Sequence, residues 1–295
     1  MHLFSLSHLL LITVAAIWGF AFVAQSAGMA HLGPHSFNAA RFLLGAASLV
    51  PLWFIFSKGK IPQGKTLLWG GLAAGTILFG GFTFQQMGLL HTTAGNAGFI
   101  TGMYIVMVPV VAVFLGHTTN LQTWSGVVLA VIGLYCLSIG PDFTMAYGDL
   151  LELIGAFFWT AHVIVIGWLS RKVDAISLSI SQFVVAALMA AAASALYETP
   201  SVSDFQAAWL PLVYAGVGSS GIACTLQIIG QRKVAPSIAA LILSTESVFA
   251  VLGGWLLLDE HFGTRELLGC TLMLSGMLIS QWPSKKVLAL AEQPN

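Results

Sequence analysis

Apolar residues along this chain are grouped in ten long runs, and short polar or turn-forming segments separate the runs. About 20 residues of α-helix cross a bilayer core of roughly 30 Å, because each residue adds about 1.5 Å. The runs have about this length, so the pattern predicts an all-α membrane protein with ten transmembrane helices. The predicted helices cover residues 8–28, 37–56, 67–90, 94–116, 123–140, 149–168, 176–196, 209–229, 235–258 and 266–282.

Basic residues are distributed unequally between the two sides of this predicted membrane protein. Lys and Arg in short loops stay in the cytoplasm, so the asymmetry predicts cytoplasmic N- and C-termini. We expect a bacterial plasma (inner) membrane protein with a polar cytoplasmic tail at 283–295. The basic residues on the inner side are Lys58, Lys60, Lys65, Arg171, Lys172, Arg232, Lys233, Lys285 and Lys286.

Composition supports lipid as the solvent of this chain. Hydrophobic residues make up 57% of it and charged residues only 7%, against roughly a quarter charged in a typical soluble domain. A net charge of zero provides no clustered basic face, which argues against a nucleic-acid partner. The three cysteines lie far apart without CxxC or Cys/His pairing, so we expect no metal site and no cofactor.

The two halves of the chain resemble each other at a spacing of 141 to 143 residues. Each half contains five predicted helices, so the second half is expected to lie upside down relative to the first. We therefore predict two five-helix repeats, 1–140 and 149–282, in the arrangement of many secondary transporters. The matching positions are Trp18 and Trp159, Arg41-Phe42 and Gln182-Phe183, Thr83, Gln85 and Gly88 with Thr225, Gln227 and Gly230, and Gly126 and Gly133 with Gly269 and Gly276.

Several motifs together resemble the EamA-type ten-helix carriers of the drug/metabolite transporter superfamily. The resemblance covers nearly the whole chain and implies two bundled repeats around a central cavity, cytoplasmic termini, and export or exchange of small metabolites such as amino acids. It does not specify the substrate. The motifs are Trp18-Gly19, Arg41-Phe42, the stretch from Thr93 to Thr101 with Tyr104 and Pro109, Ala235-Pro236, Glu246, the run from Trp255 to Glu260, and the helix with Gly269 and Gly276.

Glu246 is the first candidate for a functional residue. An ionised group in hydrocarbon costs about 2.5–3.5 kcal/mol on insertion scales, so its presence requires a reason. Glu246 lies ten residues into the predicted helix that starts near Pro236, close to the membrane midplane. It is a candidate proton acceptor, a site for a substrate ammonium, or half of an ion pair. The structural alternative is a carboxyl group that bonds the hydroxyls of Ser244 or Thr245.

Arg41 is the second charged candidate, a few residues inside the outer end of its helix. It either extends its side chain to the interface or holds a carboxylate, from a substrate or from Glu246. Its counterpart in the second repeat, Gln182, keeps the hydrogen bonding without the charge.

Aromatic and amide side chains complete the candidate binding site. Trp18 and Trp159 are expected to face each other across a cavity, with His162 one turn beyond Trp159. Ordinary helix packing is the alternative for all three. Polar groups within helices suit a polar or zwitterionic solute, or else serve as interhelical hydrogen bonds. These polar candidates are Gln85, Gln86, Gln227 and Tyr104, with Asn96 and Thr101 near them.

These features predict a secondary transporter, exporter or exchanger, of a small metabolite such as an amino acid or amine, working by alternating access. The expected partners are a small-molecule substrate, the lipid bilayer and, as a candidate coupling ion, the proton. A channel or a ligand sensor without net transport is the alternative class. An enzyme is not expected, because neither HExxH nor GxSxG occurs. Substrate identity, coupling ion, direction and oligomeric state stay open.

Overall fold

A computed structural model describes residues 6–57, 64–114, 121–138, 145–234, 239 and 242–280. These residues form helices that are joined by short turns. The helices are α1 (Leu6–Met29), α2 (Pro34–Phe56), α3 (Gly64–Gly88), α4 (Ala94–Thr101), α5 (Tyr104–Phe114), α6 (Leu121–Ser138), α7 (Tyr147–Leu169), α8 (Ala175–Tyr197), α9 (Val202–Ala207), α10 (Trp209–Val213), the π-helix Tyr214–Cys224, α11 (Thr225–Gln231), α12 (Glu246–Leu257) and α13 (Thr264–Ser280). Lys58, Lys60, Ala235-Pro236 and the tail 283–295 lie outside the described residues.

The outer surface of the helical bundle is apolar, as an all-α membrane protein requires. Within the described residues, seven helical stretches are long and apolar enough to cross a membrane, and two shorter apolar helices accompany them. Large side chains such as Phe54, Trp69 and Leu188 are about two-thirds exposed. Such residues are stable on the outside only when lipid covers them.

Two of the predicted helices are interrupted, which corrects the continuous helices expected at 94–116 and 235–258. A turn at Gly102 and Met103 separates α4 from α5, and a turn at Ser244 and Thr245 precedes α12. Hydroxyl groups bond carbonyls around the second turn: Thr245 donates to Ile242 O at 2.7 Å, and Ser247 donates to Ser244 O at 2.9 Å. Glu246 therefore begins a helix and does not lie ten residues inside one.

Close glycine contacts join α6 to α13. A Cβ atom on Gly133 would lie 2.7 Å from the carbonyl oxygen of Gly269, and one on Gly269 would lie 2.8 Å from that of Gly133. A Cβ atom on Gly276 would lie 2.5 Å from the carbonyl oxygen of Gly126. Only glycine permits backbones to approach so closely, and the contact between Gly133 and Gly269 is reciprocal.

One end of the bundle, which we call the basic end, contains Lys65, Arg171, Lys172, Arg232 and Lys233. The Arg232 side chain donates from Nε to Ser170 O at 2.9 Å and from Nη2 to Val173 O at 3.1 Å. Arg171 and Lys172 lie in the same turn between α7 and α8. A guanidinium on the last carbonyls of a helix complements its dipole, so Arg232 stabilises the end of α7.

At the opposite end, which we call the acidic end, carboxylates hold the beginnings of two helices. Glu198 accepts hydrogen bonds from the amides of His35 and Ser36 at 2.8 and 2.7 Å, and also from the Ser36 hydroxyl. Glu260 accepts from the amides of Ala94 and Gly95 at 2.7 and 3.0 Å. Negative charge is favourable at a helix N-terminus, so both glutamates fasten distant segments together.

The two acidic residues near the start of α7 bond hydroxyl groups of neighbouring segments. Ala146 is the N-cap residue, and it makes no side-chain capping bond. Asp149 lies in the first turn and accepts from the hydroxyl of Thr92. Glu152 is fully buried, and its carboxylate accepts from Thr101 of α4 at 3.2 Å.

We expect Gly133→Ala and Gly276→Ala to destabilise the protein by about 1–3 kcal/mol, the usual cost of overpacking. Alanine is otherwise the better helix former by roughly 1 kcal/mol, so a loss would come from the contact between α6 and α13. The control is Gly64→Ala, where an added Cβ meets no atom within 4 Å. Thermal unfolding in detergent measures the three variants, and wild-type stability of Gly276→Ala would contradict the packing.

Candidate functional site

A small cavity lies in the interior of the bundle, where the two interrupted helices approach α1, α3 and α7. Its volume is about 30 Å³ when measured by the centres of water-sized spheres, enough for one or two waters but not for a metabolite. The site must therefore widen before it can admit a solute. The lining residues are Trp18, Ala21, Phe22, Gln25, Phe82, Gln85, Thr101, Tyr104, Trp159, Val163, Ser219, Gln227 and Glu246.

Glu246 supplies the charged group in the cavity lining. Its side chain is 3% exposed. The neighbouring hydroxyls of Thr245 and Ser247 donate to backbone carbonyls instead. The hydroxyl pairing considered for Glu246 is therefore absent at Thr245. A buried carboxyl group that no Lys or Arg of the described chain neutralises is costly, which makes it available to a proton or a ligand cation.

Two tryptophans from matching positions of the halves form the apolar walls. Trp18 donates from Nε1 to Ser219 O, and Trp159 donates from Nε1 to Gln85 Oε1, each at 3.1 Å. The ring of Phe82 meets that of Trp159 edge to face, with centroids 4.7 Å apart. Because both indole N–H groups are bonded, the rings are held in fixed orientations toward the cavity.

The carbonyl that Trp18 uses lies in the π-helix Tyr214–Cys224. In this wider helix the Ser220 hydroxyl donates to Ala215 O, five residues before it, at 2.9 Å. π-Helical turns expose carbonyls and are frequent at functional sites. Glycines at 216, 218 and 221 accompany the segment, and Gly216 and Gly221 pack against α2. Nothing in the sequence pattern predicted this geometry.

Arg41 lies behind the cavity wall and does not line it. Its side chain is 0% exposed, so the proposed extension to the membrane interface is wrong. Nη1 donates to Gln25 Oε1 at 2.7 Å, and Nη2 donates to Ser219 Oγ at 3.1 Å. The guanidinium also lies 4.0 Å from the centroid of the Phe82 ring. No ion pair joins Arg41 to Glu246 in the described part of the chain.

Gln25 connects Arg41 to the cavity, although it was not among the site residues predicted from the sequence. Its Oε1 atom accepts from Arg41 and, at 3.3 Å, from Gln85 Nε2, while Gln85 in turn accepts from Trp159. Gln25 lies seven residues after Trp18, which places both on one face of α1. This spacing is the signal that would have identified it.

Besides Arg41, three further candidate site residues lie outside the cavity lining. His162 and Gln182 bond each other, with His162 Nε2 and Gln182 Oε1 3.0 Å apart, and the His162 ring meets that of Trp159. Gln86 donates to the backbone oxygen of Gln25 at 3.3 Å. These side chains join helices behind the wall.

Two lining groups carry polar atoms without a hydrogen-bond partner in the described protein. They are the hydroxyl of Tyr104 and the Oε1 atom of Gln227. Buried polar groups are normally bonded, so such exceptions at a cavity favour contact with water or a solute. Among the described residues, no three His, Cys, Asp or Glu side chains come together in a way that would hold a metal ion.

Comparison with known proteins defines the class of this chain. A model of the EamA-like transporter family matches residues 5–139 and again 146–281. The chain therefore belongs to the EamA-like transporter family, within the drug/metabolite transporter superfamily, and is an integral membrane protein of transporter type.

Individual relatives agree with this family. The chain is 32% identical to an uncharacterized transporter of Archaeoglobus fulgidus over 90% of its own length and 82% of the relative's. It is 25% identical to the uncharacterized transporter YoaV of Bacillus subtilis, over 92% of this chain and 94% of that one. A solved crystal structure at 19% identity covers 94% of this chain and 97% of its own, with a TM-score of 0.69, and so shares the fold.

We expect Gln25→Met to destabilise the protein by about 1.5–3 kcal/mol, because it removes a hydrogen bond to a buried charge. The matched control is Gln86→Met, which removes a buried amide whose Oε1 atom has no partner in the described protein. Thermal unfolding in detergent compares the two. Equal stability of both variants would show that Gln25 does not anchor the guanidinium.

Proposed function

We propose that this protein is a secondary transporter of a small solute that carries a protonated amine, an amino acid or a simple amine, and that it works by alternating access. The observation that carries the proposal is the buried Glu246 carboxyl group in the lining of a small interior cavity with aromatic walls. Membership of the EamA-like family already assigns the protein to the transporters of the drug/metabolite type.

The charge distribution favours an amine over a purely anionic solute. Glu246 lines the cavity, whereas Arg41 is set back and uses its donors on Gln25 and serine oxygens. The faces of Trp18, Tyr104 and Trp159 add a favourable environment for a cation. A solute ammonium would therefore bind near Glu246, while the unpartnered Tyr104 hydroxyl provides a donor for its polar end.

The ten-helix inverted repeat, with units 1–140 and 149–282, is the architecture that we propose for this movement. Equivalent residues of the two halves meet: the rings of Phe42 and Phe183 stack at 6.1 Å with 11° between their planes. The helix breaks at Gly102 and Ser244 lie 142 positions apart, the same spacing as the sequence repeat. The two separate family matches support the same division.

The proposed movement rocks one repeat against the other about the cavity. In this structure the cavity is too small for a solute, and Glu198 and Glu260 fasten the acidic end. Opening at the basic end admits a solute, and opening at the acidic end releases it. We place the basic end in the cytoplasm, together with both termini, because of the positive-inside rule. Export then runs from the basic to the acidic end.

Coupling to protons follows from the same carboxyl group. Glu246 can hold a proton or a solute ammonium, but the two compete for one negative charge. Inward return with a proton and outward movement with a solute would then give antiport. The spacing of Gly59, Gly64, Lys65 and Thr66 matches GxxxxGK[ST]. A nucleotide site of this type needs a strand before the glycine-rich loop, whereas the element described before Gly64 is the apolar helix α2, so we assign this match no role as an energy source.

We expect counterflow in proteoliposomes to identify the solute within a panel of labelled amino acids and amines. Unlabelled solute on the opposite side should accelerate uptake, and Glu246→Gln should reduce that exchange at least about tenfold, as loss of a charged hydrogen bond implies. The control is Glu266→Gln at the acidic end, where the carboxylate bonds Gly263 N. Uptake that is insensitive to solute on the opposite side would indicate a pore.

A further inference from the structure

We propose that Glu152 is a second proton-carrying carboxyl group, which relays protons between the acidic end of the bundle and the central cavity by way of Asp149 and Thr101. The relay gives the proposed transport function its proton pathway, and its test needs no solute. Nothing in the family comparison assigns a role to these residues.

Glu152 is buried to a degree that a structural role does not explain. Its side chain is 0% exposed, and its Oε1 atom has no hydrogen-bond partner in the described protein. A Cβ atom on Gly88 would lie 2.7 Å from this oxygen, so α3 passes directly over the carboxyl group. A carboxyl group at such a place costs free energy, and one bond to Thr101 does not satisfy it.

On one side, Glu152 leads to the acidic end. Asp149 lies one helical turn earlier on the same face of α7, at the separation where side chains three residues apart are neighbours. Asp149 lines an open pocket of about 970 Å³ at the beginnings of α4, α7 and α13. Asp149 is 2% exposed and lies in the inner wall of this pocket, which places it between the pocket and Glu152. Other polar residues of the pocket are His91, Thr92, Thr93, Asn96, Arg265 and Glu266.

On the other side, Glu152 leads to the cavity. The Thr101 hydroxyl donates to Glu152 Oε2 at 3.2 Å, and Thr101 also lines the cavity together with Glu246. Thr101 is the last residue of α4, at the break in that helix. A hydroxyl group both donates and accepts, so it can pass a proton without holding a charge.

The groups around Glu152 favour a proton over any other cation. Asp149 is on its own helix, His91 follows α3, Tyr104 begins α5, and Glu246 lies across the cavity. No Lys or Arg of the described chain bonds Glu152. A metal ion would need several oxygen ligands, whereas Glu152 has Thr101 alone.

The transfer is balanced at each step. A proton from the acidic-end pocket enters through Asp149 and binds the Glu152 carboxylate. The Thr101 hydroxyl then turns, accepts this proton at Oγ1, and releases its own proton to a cavity water. That water protonates the carboxylate of Glu246, so one proton enters and one carboxylate is neutralised. The cavity has room for the one or two waters that this step requires.

Infrared spectroscopy of the purified full-length protein in lipid films tests the relay directly. The C=O stretch of a protonated carboxylic acid shifts when the proton is exchanged for a deuteron, and the band lost in Glu246→Gln identifies Glu246. After a change to D₂O, we expect this band to shift at least about tenfold more slowly in Thr101→Val and in Glu152→Gln, as loss of a positioned proton carrier implies.

Matched variants separate the relay from a merely structural effect. Thr101→Ser keeps the hydroxyl and should restore the wild-type rate. Thr160→Val removes a buried hydroxyl that bonds Ala156 O and lines no part of the pathway, so its rate should stay unchanged. Wild-type exchange in both Thr101→Val and Glu152→Gln would overturn the relay, as would the absence of any Glu246 band. Counterflow that persists in that case would leave the transport proposal intact.

Discussion

Two opposite charges, Glu246 and Arg41, lie inside one membrane bundle without neutralising each other. Arg41 donates hydrogen bonds to Gln25, Ser219 and Ser220, and its guanidinium lies over the face of the Phe82 ring. An ion pair between the guanidinium and Glu246 would neutralise the carboxylate. The cavity would then offer no uncompensated charge to a solute or a proton. The separation leaves one carboxyl group in the lining, and the charge chemistry proposed for the site depends on it.

The interrupted helices explain how such a group can occupy the interior. Glu246 lies in the first turn of its helix, where the positive end of the helix dipole reduces the cost of negative charge. Backbone groups freed at the breaks face the protein interior, where hydroxyls of Thr245 and Ser247 bond them. Irregular backbone is tolerated within a membrane protein only where other protein groups bond it or where it lines a cavity. The two breaks also divide the bundle where rocking would require it to bend.

Much of this molecule was predictable from its sequence, and the exceptions have physical causes. Helix positions followed from apolar run length, because lipid requires about 20 apolar residues per crossing. The breaks in two helices could not be predicted in this way, because glycine and serine, as at Gly102 and Ser244, also occur inside continuous apolar helices. Arg41 seemed close enough to the interface to reach water, but its burial depends on Gln25 and the π-helix, which are tertiary features. The burial of Glu152 also depends on tertiary contacts, because α3 and α4 pack against its carboxyl group.

Accessibility of one cavity position from both sides of the membrane tests the alternating carrier most directly. In a cysteine-free background, Ala21→Cys would be exposed to a membrane-impermeant thiol reagent on either side of oriented vesicles. Lys172→Cys at the basic end and Asp204→Cys near the acidic end serve as one-sided controls. The account predicts that Ala21→Cys reacts from both sides, Lys172→Cys only from the cytoplasmic side and Asp204→Cys only from the outer side. Reaction of Ala21→Cys from a single side, or of both controls from the same side, would contradict it.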